Sequence, residues 1–148
     1  MEIQKDFKEL LELFNAHKVE YLIVGGYALA FYGAPRYTGD IDMLVSPEAS
    51  NAQRVLSALE EFGFGAVGLT NKDFNEPDKV VQLGVPPVRI DIVTSITGVS
   101  IEEAFSRSEE GKYGEVPVRY IGRSEFIANK RATGRKKDLA DLEALGQD

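Results

Sequence analysis

Two runs, Tyr21-Leu22-Ile23-Val24-Gly25-Gly26 and Asp40-Ile41-Asp42-Met43-Leu44-Val45, with a short helix-like segment between them, set the expectations for the whole chain. The first run is four continuous apolar residues closed by two glycines, the mark of a short buried strand. Tyr27 to Tyr32 then reads as a short helix closed by Gly33, with Pro35 in the connection and Tyr37 to Val45 as the next strand. Residues two apart on a strand point the same way, so Asp40 and Asp42 leave one face together while Ile41 and Met43 turn to the other.

The same alternation recurs downstream. In Arg89-Ile90-Asp91-Ile92-Val93, Ile90 and Ile92 go to the core and Asp91 shares the opposite face with Arg89. Lys79 to Leu83 and Val88 to Val93 read as two strands of a hairpin joined through Gly84-Val85-Pro86-Pro87. Between the two halves, residues 64 to 78 look irregular. Ser46 is a good N-cap and Pro47 suits the first helical position, so a helix should follow, burying Ala52, Val55 or Leu56, Leu59 and Phe62 and ending at Gly63.

The flanks are helical. Phe7, Leu10, Leu11 and Phe14 recur at helical spacing over residues 4 to 17, where His17 is a helix-end residue with no further role. Ser100 and Glu103 form a capping box for a helix to about Ser108. Tyr113 to Ile121 is expected to be an edge strand, because Pro117 cannot donate to a ladder. From about residue 123 the chain is helical to Ala132, broken by Thr133-Gly134, and helical again with Leu139, Leu142 and Leu145 as its apolar stripe.

Composition bounds the possibilities. At 148 residues, one domain over 1–148 can bury roughly two-thirds of its unfolded surface in a single core. Hydrophobic residues make up 43% and charged residues 28%, an ordinary globular balance that argues against extensive disorder. With no cysteine, disulfides, zinc-thiolate sites and thiol catalysis are excluded. The lack of a long apolar run, and of a basic-then-apolar leader in Met1-Glu2-Ile3-Gln4-Lys5-Asp6, points to a cytoplasmic protein with no membrane partner.

The net charge of −7 opposes sequence-independent nucleic-acid binding, but it hides an asymmetry. Arg119, Arg123, Lys130, Arg131, Arg135, Lys136 and Lys137 lie in one segment whose only acid is Glu125. That segment is either an anion-binding face or a solvated basic helix that offsets the acidic remainder.

The acids carry the chemistry. If the strand of Asp91 lies beside that of Asp40 and Asp42, three carboxylates converge, and such a cluster suits a divalent cation and two-metal phosphoryl transfer. Taken alone, Asp-x-Asp on a strand is equally an exposed polar face, and Gly25-Gly26 is equally a flexible turn. The functional reading of the glycines is that their backbone lets a phosphate approach closely at the head of a helix. Arg36 and Thr38 fall between that helix and the carboxylates, where a guanidinium and a hydroxyl can meet phosphate oxygens.

As an ordered set, Gly25-Gly26, Ala28-Leu29, Gly33, Arg36, Thr38, Asp40-Ile41-Asp42 and Arg89-Ile90-Asp91 resembles the minimal nucleotidyltransferases of the DNA polymerase beta-like superfamily. Within it the pattern is most like the branch that includes abortive-infection and type IV toxin nucleotidyltransferases. The resemblance implies an α/β (α+β) fold, a small mixed sheet flanked by helices. It further implies Asp40, Asp42 and Asp91 as catalytic and metal carboxylates for two Mg²⁺ ions, with Mn²⁺ as an alternative. Gly25 and Gly26 would hold the triphosphate of an NTP, Arg36 and Thr38 would assist, and Lys130 would contact phosphate from the C-terminal helix. The expected reaction is transfer of an NMP to a hydroxyl of RNA, protein or a small molecule, with an antitoxin as a further partner.

Many superfamily members have Gly-Ser where this chain has Gly25-Gly26, so a hydroxyl is missing at position 26. Two other readings fit the same residues. One is a non-catalytic module that binds nucleotide or a protein partner, and the other is a nucleic-acid-binding domain built on the basic helices.

Overall fold

The computed structural model describes residues 3–85 and 87–147. Pro86 of the expected hairpin connection, and Met1 and Glu2 of the leader reading, lie outside them. The architecture is a six-stranded mixed sheet flanked by helices, as the sequence implied. The strands are β1 (Tyr21–Val24), β2 (Asp40–Val45), β3 (Val80–Leu83), β4 (Arg89–Val93), β5 (Glu109–Tyr113) and β6 (Val116–Tyr120), in the order β3-β4-β2-β1-β6-β5. The helices are α1 (Lys5–Ala16), α2 (Gly25–Phe31), α3 (Ala49–Leu59), α4 (Ile101–Ser106), α5 (Arg123–Thr133) and α6 (Lys136–Ala144). No helix among the described residues is long and apolar enough to cross a membrane.

The central strands are buried on both sides. Tyr21 to Val24 are all buried, and Ile41, Met43, Ile90 and Ile92 have no exposed surface. α1 buries Phe7, Leu10, Leu11 and Phe14, the residues its spacing selects, and Phe14 meets Tyr21 edge to face at 5.6 Å. β3 and β4 form the expected antiparallel hairpin. The Ser100–Glu103 capping box is present, and Gly134 ends α5 in the left-handed region at φ 60°.

Three expectations fail for local reasons. α3 starts at Ala49 behind an N-cap at Glu48, not at Ser46-Pro47. Ser46 is instead buried at the end of β2, where Asn51 Nδ2 donates to its carbonyl at 2.9 Å. The strand after Gly33 begins at Asp40 rather than Tyr37, whose ring is 83% exposed.

The third concerns the edge. β6 lies between β1 and β5, and the edge strand is β5, of which only Tyr113 falls within the edge strand expected over Tyr113 to Ile121. Pro117 is tolerated inside the sheet because its carbonyl accepts from Asn15 Nδ2 at 2.7 Å. Carbonyl and nitrogen of one strand residue face the same side, so the missing N–H falls on the side away from β5. On that side β1 pairs only near the other end of β6, at Ile23↔Tyr120. β5 in turn crosses a tight place at Gly111, where a Cβ would stand 2.7 Å from Phe31 and 2.9 Å from Tyr120, rings stacked at 4.1 Å.

Candidate active site

The site forms where β1 hands over to α2. Its glycine pair lies in the first turn of α2 rather than before the helix. Gly25 has φ +66°, and a Cβ there would come within 2.1 Å of Asp42 Oδ2. Both facts demand glycine: the conformation is costly for an L side chain, and the space belongs to the carboxylate of the neighbouring strand. At Gly26 a Cβ would meet Thr38 Cβ and Oγ1 at 3.0 and 3.1 Å. The hydroxyl absent at position 26 therefore has the Thr38 hydroxyl as its neighbour.

Pairing brings the three acids together. β2 and β4 run parallel, with Asp42 opposite Asp91 and Asp40 opposite Arg89, while β1 sets Val24 opposite Asp42. One oxygen from each of Asp40, Asp42 and Asp91 lies within 4.8 Å of the others. Thr38 Oγ1 is 2.9 Å from Asp40 Oδ1 and 3.0 Å from the Asp40 carbonyl. Arg89, an unassigned neighbour in the sequence reading, forks onto Asp91 at 3.1 and 2.9 Å and reaches Asp40 at 3.2 Å.

These contacts split the acids electrostatically. Burial pushes Asp42 up, reinforced by the charges of Asp40 and Asp91, to about 8. Asp91 is also raised, because its burial outweighs the pull of Arg89. Asp40 is lowered: burial acts upward on it, but hydrogen bonds from Asp91, Thr38 and Asp42 and the charge of Arg89 win. The cluster thus holds a proton near neutrality, a cost that a hard cation with oxygen ligands would relieve.

Arg36 and Lys130 meet elsewhere. Arg36 sits in the stretch between α2 and β2 and forks onto Asp141 of α6, Nε to Oδ1 at 2.9 Å and Nη2 to Oδ2 at 3.1 Å. Lys130 does not offer its charge as a surface cation. Its side chain is 6% exposed, and Nζ lies 3.2 Å from Asp138 and 3.3 Å from Asp141. Asp138 further accepts from Thr133 Oγ1 at 2.7 Å and Arg135 Nε at 2.8 Å. Burial raises the Asp138 pKa, but the bonds from Arg135, Thr133 and Lys130 overcome it and hold the carboxyl far below the usual range. Arg36 lines one cleft with Thr38, whose hydroxyl bonds Asp40, so this network borders the carboxylate cluster.

Sequence reasoning missed Arg89, Asp138 and Asp141. The signal for the last two is their spacing: three apart on one helical face with Leu142, opposite a basic run. The basic segment is accordingly only partly an open face, since Arg119 pairs with Glu110 and Arg135 with Asp138.

Arg36 and Thr38 also line a cleft of about 570 Å³ with Tyr27, Tyr37 and Pro87. A second cleft, about 1220 Å³, lies by Tyr21, Ser46 and Phe105, toward the opposite ends of β1 and β2, and none of the three acids lines it.

Solved structures share this fold. TM1012 of Thermotoga maritima, itself a proposed nucleotidyltransferase, superposes with a TM-score of 0.66 at 11% identity, over 94% of this chain and 89% of that one. The lincosamide antibiotic adenylyltransferase LnuA, solved with lincomycin, gives 0.59 at 16% identity over 97% and 96%. ANT(2")-Ia, solved with adenylyl-2"-tobramycin, gives 0.61 at 14% identity over 94% and 84%. At such identities the likeness is one of fold. No curated protein matches the chain. Residues 3–147 match one family along their whole length, and the chain therefore belongs to the family described as nucleotidyl transferase of unknown function (DUF2204).

Proposed function

We propose that the chain, acting as one domain in the cytoplasm, transfers an NMP from an NTP to an acceptor hydroxyl with Mg²⁺ bound by Asp40, Asp42 and Asp91. One observation carries the reading: three carboxylates from two adjacent strands converge beside the glycine turn that opens α2. An all-oxygen donor set fits Mg²⁺ or Mn²⁺. When bound, the ions supply Lewis-acid polarisation of phosphate oxygens and offset the charge of the departing pyrophosphate.

The chain's own residues do the rest. Gly25 and Gly26 keep the triphosphate path free of side chains, Arg36 and Thr38 bind its oxygens, and Asp91 stands nearest the acceptor. The acceptor oxygen forms a bond to the α-phosphorus as the bond to the β-phosphate oxygen breaks. The hydroxyl proton goes to a carboxylate or water, and pyrophosphate leaves. Arg89 shares its one positive charge between Asp40 and Asp91 in the protein alone. In this reading Lys130, whose charge is taken up by Asp138 and Asp141, serves the site from behind rather than by touching phosphate.

The test is label transfer from each of the four α-labelled NTPs, with Mg²⁺ or Mn²⁺, into an extract containing RNA, protein and metabolites. Label in one fraction with wild type but not with Asp40→Asn/Asp42→Asn supports transfer and identifies the acceptor class. The fold shared with adenylyltransferases of lincosamides and of tobramycin supports adding those antibiotics to the acceptor set and ATP to the first donors. The role of toxin with a cognate antitoxin rests on the sequence resemblance. Growth arrest on expression, lost with the aspartates, is its expected signature.

A binding module without turnover has one observation in its favour: Arg89 and the retained proton offset two of the three acidic charges without an ion. It predicts metal-dependent NTP binding with no label transferred to any fraction.

A further inference from the structure

We infer that Asp141 of α6 is a positioning residue of the nucleotide site, acting through Arg36, and that Lys130 serves the same end by holding Asp141. This rests on the nucleotide-transfer reading above. Arg36 sits between α2 and β2 in a segment without helix or strand, beside the exposed Tyr37. A guanidinium on such a segment has many rotamers, and its local sequence offers only a long bond from Nη1 to the Tyr37 carbonyl at 3.4 Å to select one.

Asp141 selects one. Its side chain is 4% exposed, and both oxygens face the Arg36 fork, so the guanidinium plane is fixed by two parallel hydrogen bonds. A buried carboxylate is stable there only with further compensation, which Lys130 Nζ supplies at 3.3 Å. Lys130 in turn is shared with Asp138, itself tied to the α5–α6 corner by Thr133 and by the Arg135 backbone at 3.1 Å. A chain of charges therefore runs from the helix corner to a residue on the rim of the carboxylate cluster.

Its composition matters as much as its path. Arg36, Lys130 and Arg135 carry three positive charges against the two of Asp138 and Asp141. The rim keeps a net positive charge beside the segment that carries Thr38, whose hydroxyl bonds Asp40 of the cluster. A triphosphate arriving with its cations meets a guanidinium already oriented, with part of the ordering entropy met in advance.

The probe is ATP with Mg²⁺, its Kd read by calorimetry on the full chain, and KM and kcat wherever transfer is detected. Asp141→Asn is expected to weaken ATP about tenfold or more, with KM rising more than kcat falls. Arg36→Ala should weaken it comparably, and the double variant no further, because both changes remove one unit. Arg36→Lys keeps the charge but loses the fork. It should resemble Arg36→Ala, and it leaves Asp141 in place should Asp141→Asn fold poorly.

Wild-type ATP affinity in Asp141→Asn overturns the inference. So do losses that multiply in the double variant, which would make Asp141 structural only, and wild-type affinity in Arg36→Lys. A wild type that binds no ATP under any metal fells the nucleotide reading itself and this inference with it. That outcome is distinct from a wild type that binds while Asp141→Asn binds equally well.

Discussion

The β1–α2–β2 half and the α5–α6 half both bring carboxylates inside, but by opposite means. In the first, acids stand on a strand face that alternation makes polar, and Asp40 stays partly in reach of solvent beside Arg89. In the second, Asp138 and Asp141 are almost wholly buried while Leu139 is 53% exposed, so the helix is turned charge-inward. The first arrangement leaves its acids short of cations, a state that a metal ion could relieve. The second gives each buried acid at least one cation and so is a closed structural unit. A carboxylate's surroundings, more than its burial, separate a site that wants a ligand from one that is already satisfied.

The contrast is breakable at each end. The largest effect is expected at the open cluster: Asp40→Asn or Asp42→Asn should lower transfer at least about a thousandfold, several kcal/mol of transition-state stabilisation. Label transfer at saturating NTP measures it. At the closed unit, Asp138→Ala takes away one of the two acids that hold buried Lys130, together with the acceptor for Thr133 and Arg135, and should cost about 2–3 kcal/mol in denaturant unfolding. The wild-type carboxylate has a lowered pKa, so its contribution is whole above about pH 4 and drains away as pH falls toward the folded value. Asp138→Ala should lack that acid-side loss.

A smaller effect of opposite sign is expected at Asp42. Its folded pKa is raised to about 8, so the native state holds a proton that the unfolded chain releases near pH 4, and stability declines as pH rises between those values. In chelator, Asp42→Asn should remove that decline and gain about 1–2 kcal/mol at pH 8, seen as a Tm a few degrees higher while transfer is lost. An unchanged Tm profile between pH 5 and 9 would mean the acids do not strain one another. Smallest of all, Leu139→Ser should shift stability by no more than about 0.5 kcal/mol, whereas Leu142→Ala, at a 2%-exposed position, should cost about 2–3 kcal/mol.

The same contrast explains what could be read in advance. Strand faces follow a period of two that needs no partner to be recognised, so the common face of Asp40, Asp42 and Asp91 was visible in Asp-Ile-Asp and Ile-Asp-Ile. Caps with local side-chain logic, such as Ser100–Glu103 and Gly134, were equally legible. The inward face of α6 was not, because a leucine stripe is the ordinary core signal and buried Asp requires a lysine eight residues back across a helix corner. β5, Glu-Glu-Gly-Lys-Tyr, has little strand propensity of its own and takes its form from pairing with β6. The start of α3 was misplaced because Ser46 caps nothing in a helix, its carbonyl being held by Asn51.

Gly111 ties the sheet edge to α2. The stacked rings of Phe31 and Tyr120 occupy the volume that any side chain at 111 would need, and Phe31 is the last residue of α2. A methyl added there has to displace a ring, and Phe31, 37% exposed, can swing outward where the buried Tyr120 cannot. The other end of that seven-residue helix is the glycine beside Asp42. One short helix therefore spans the distance from the outermost strand to the carboxylate cluster, and the missing side chain at 111 is what lets its far end lie with a ring flat on the sheet.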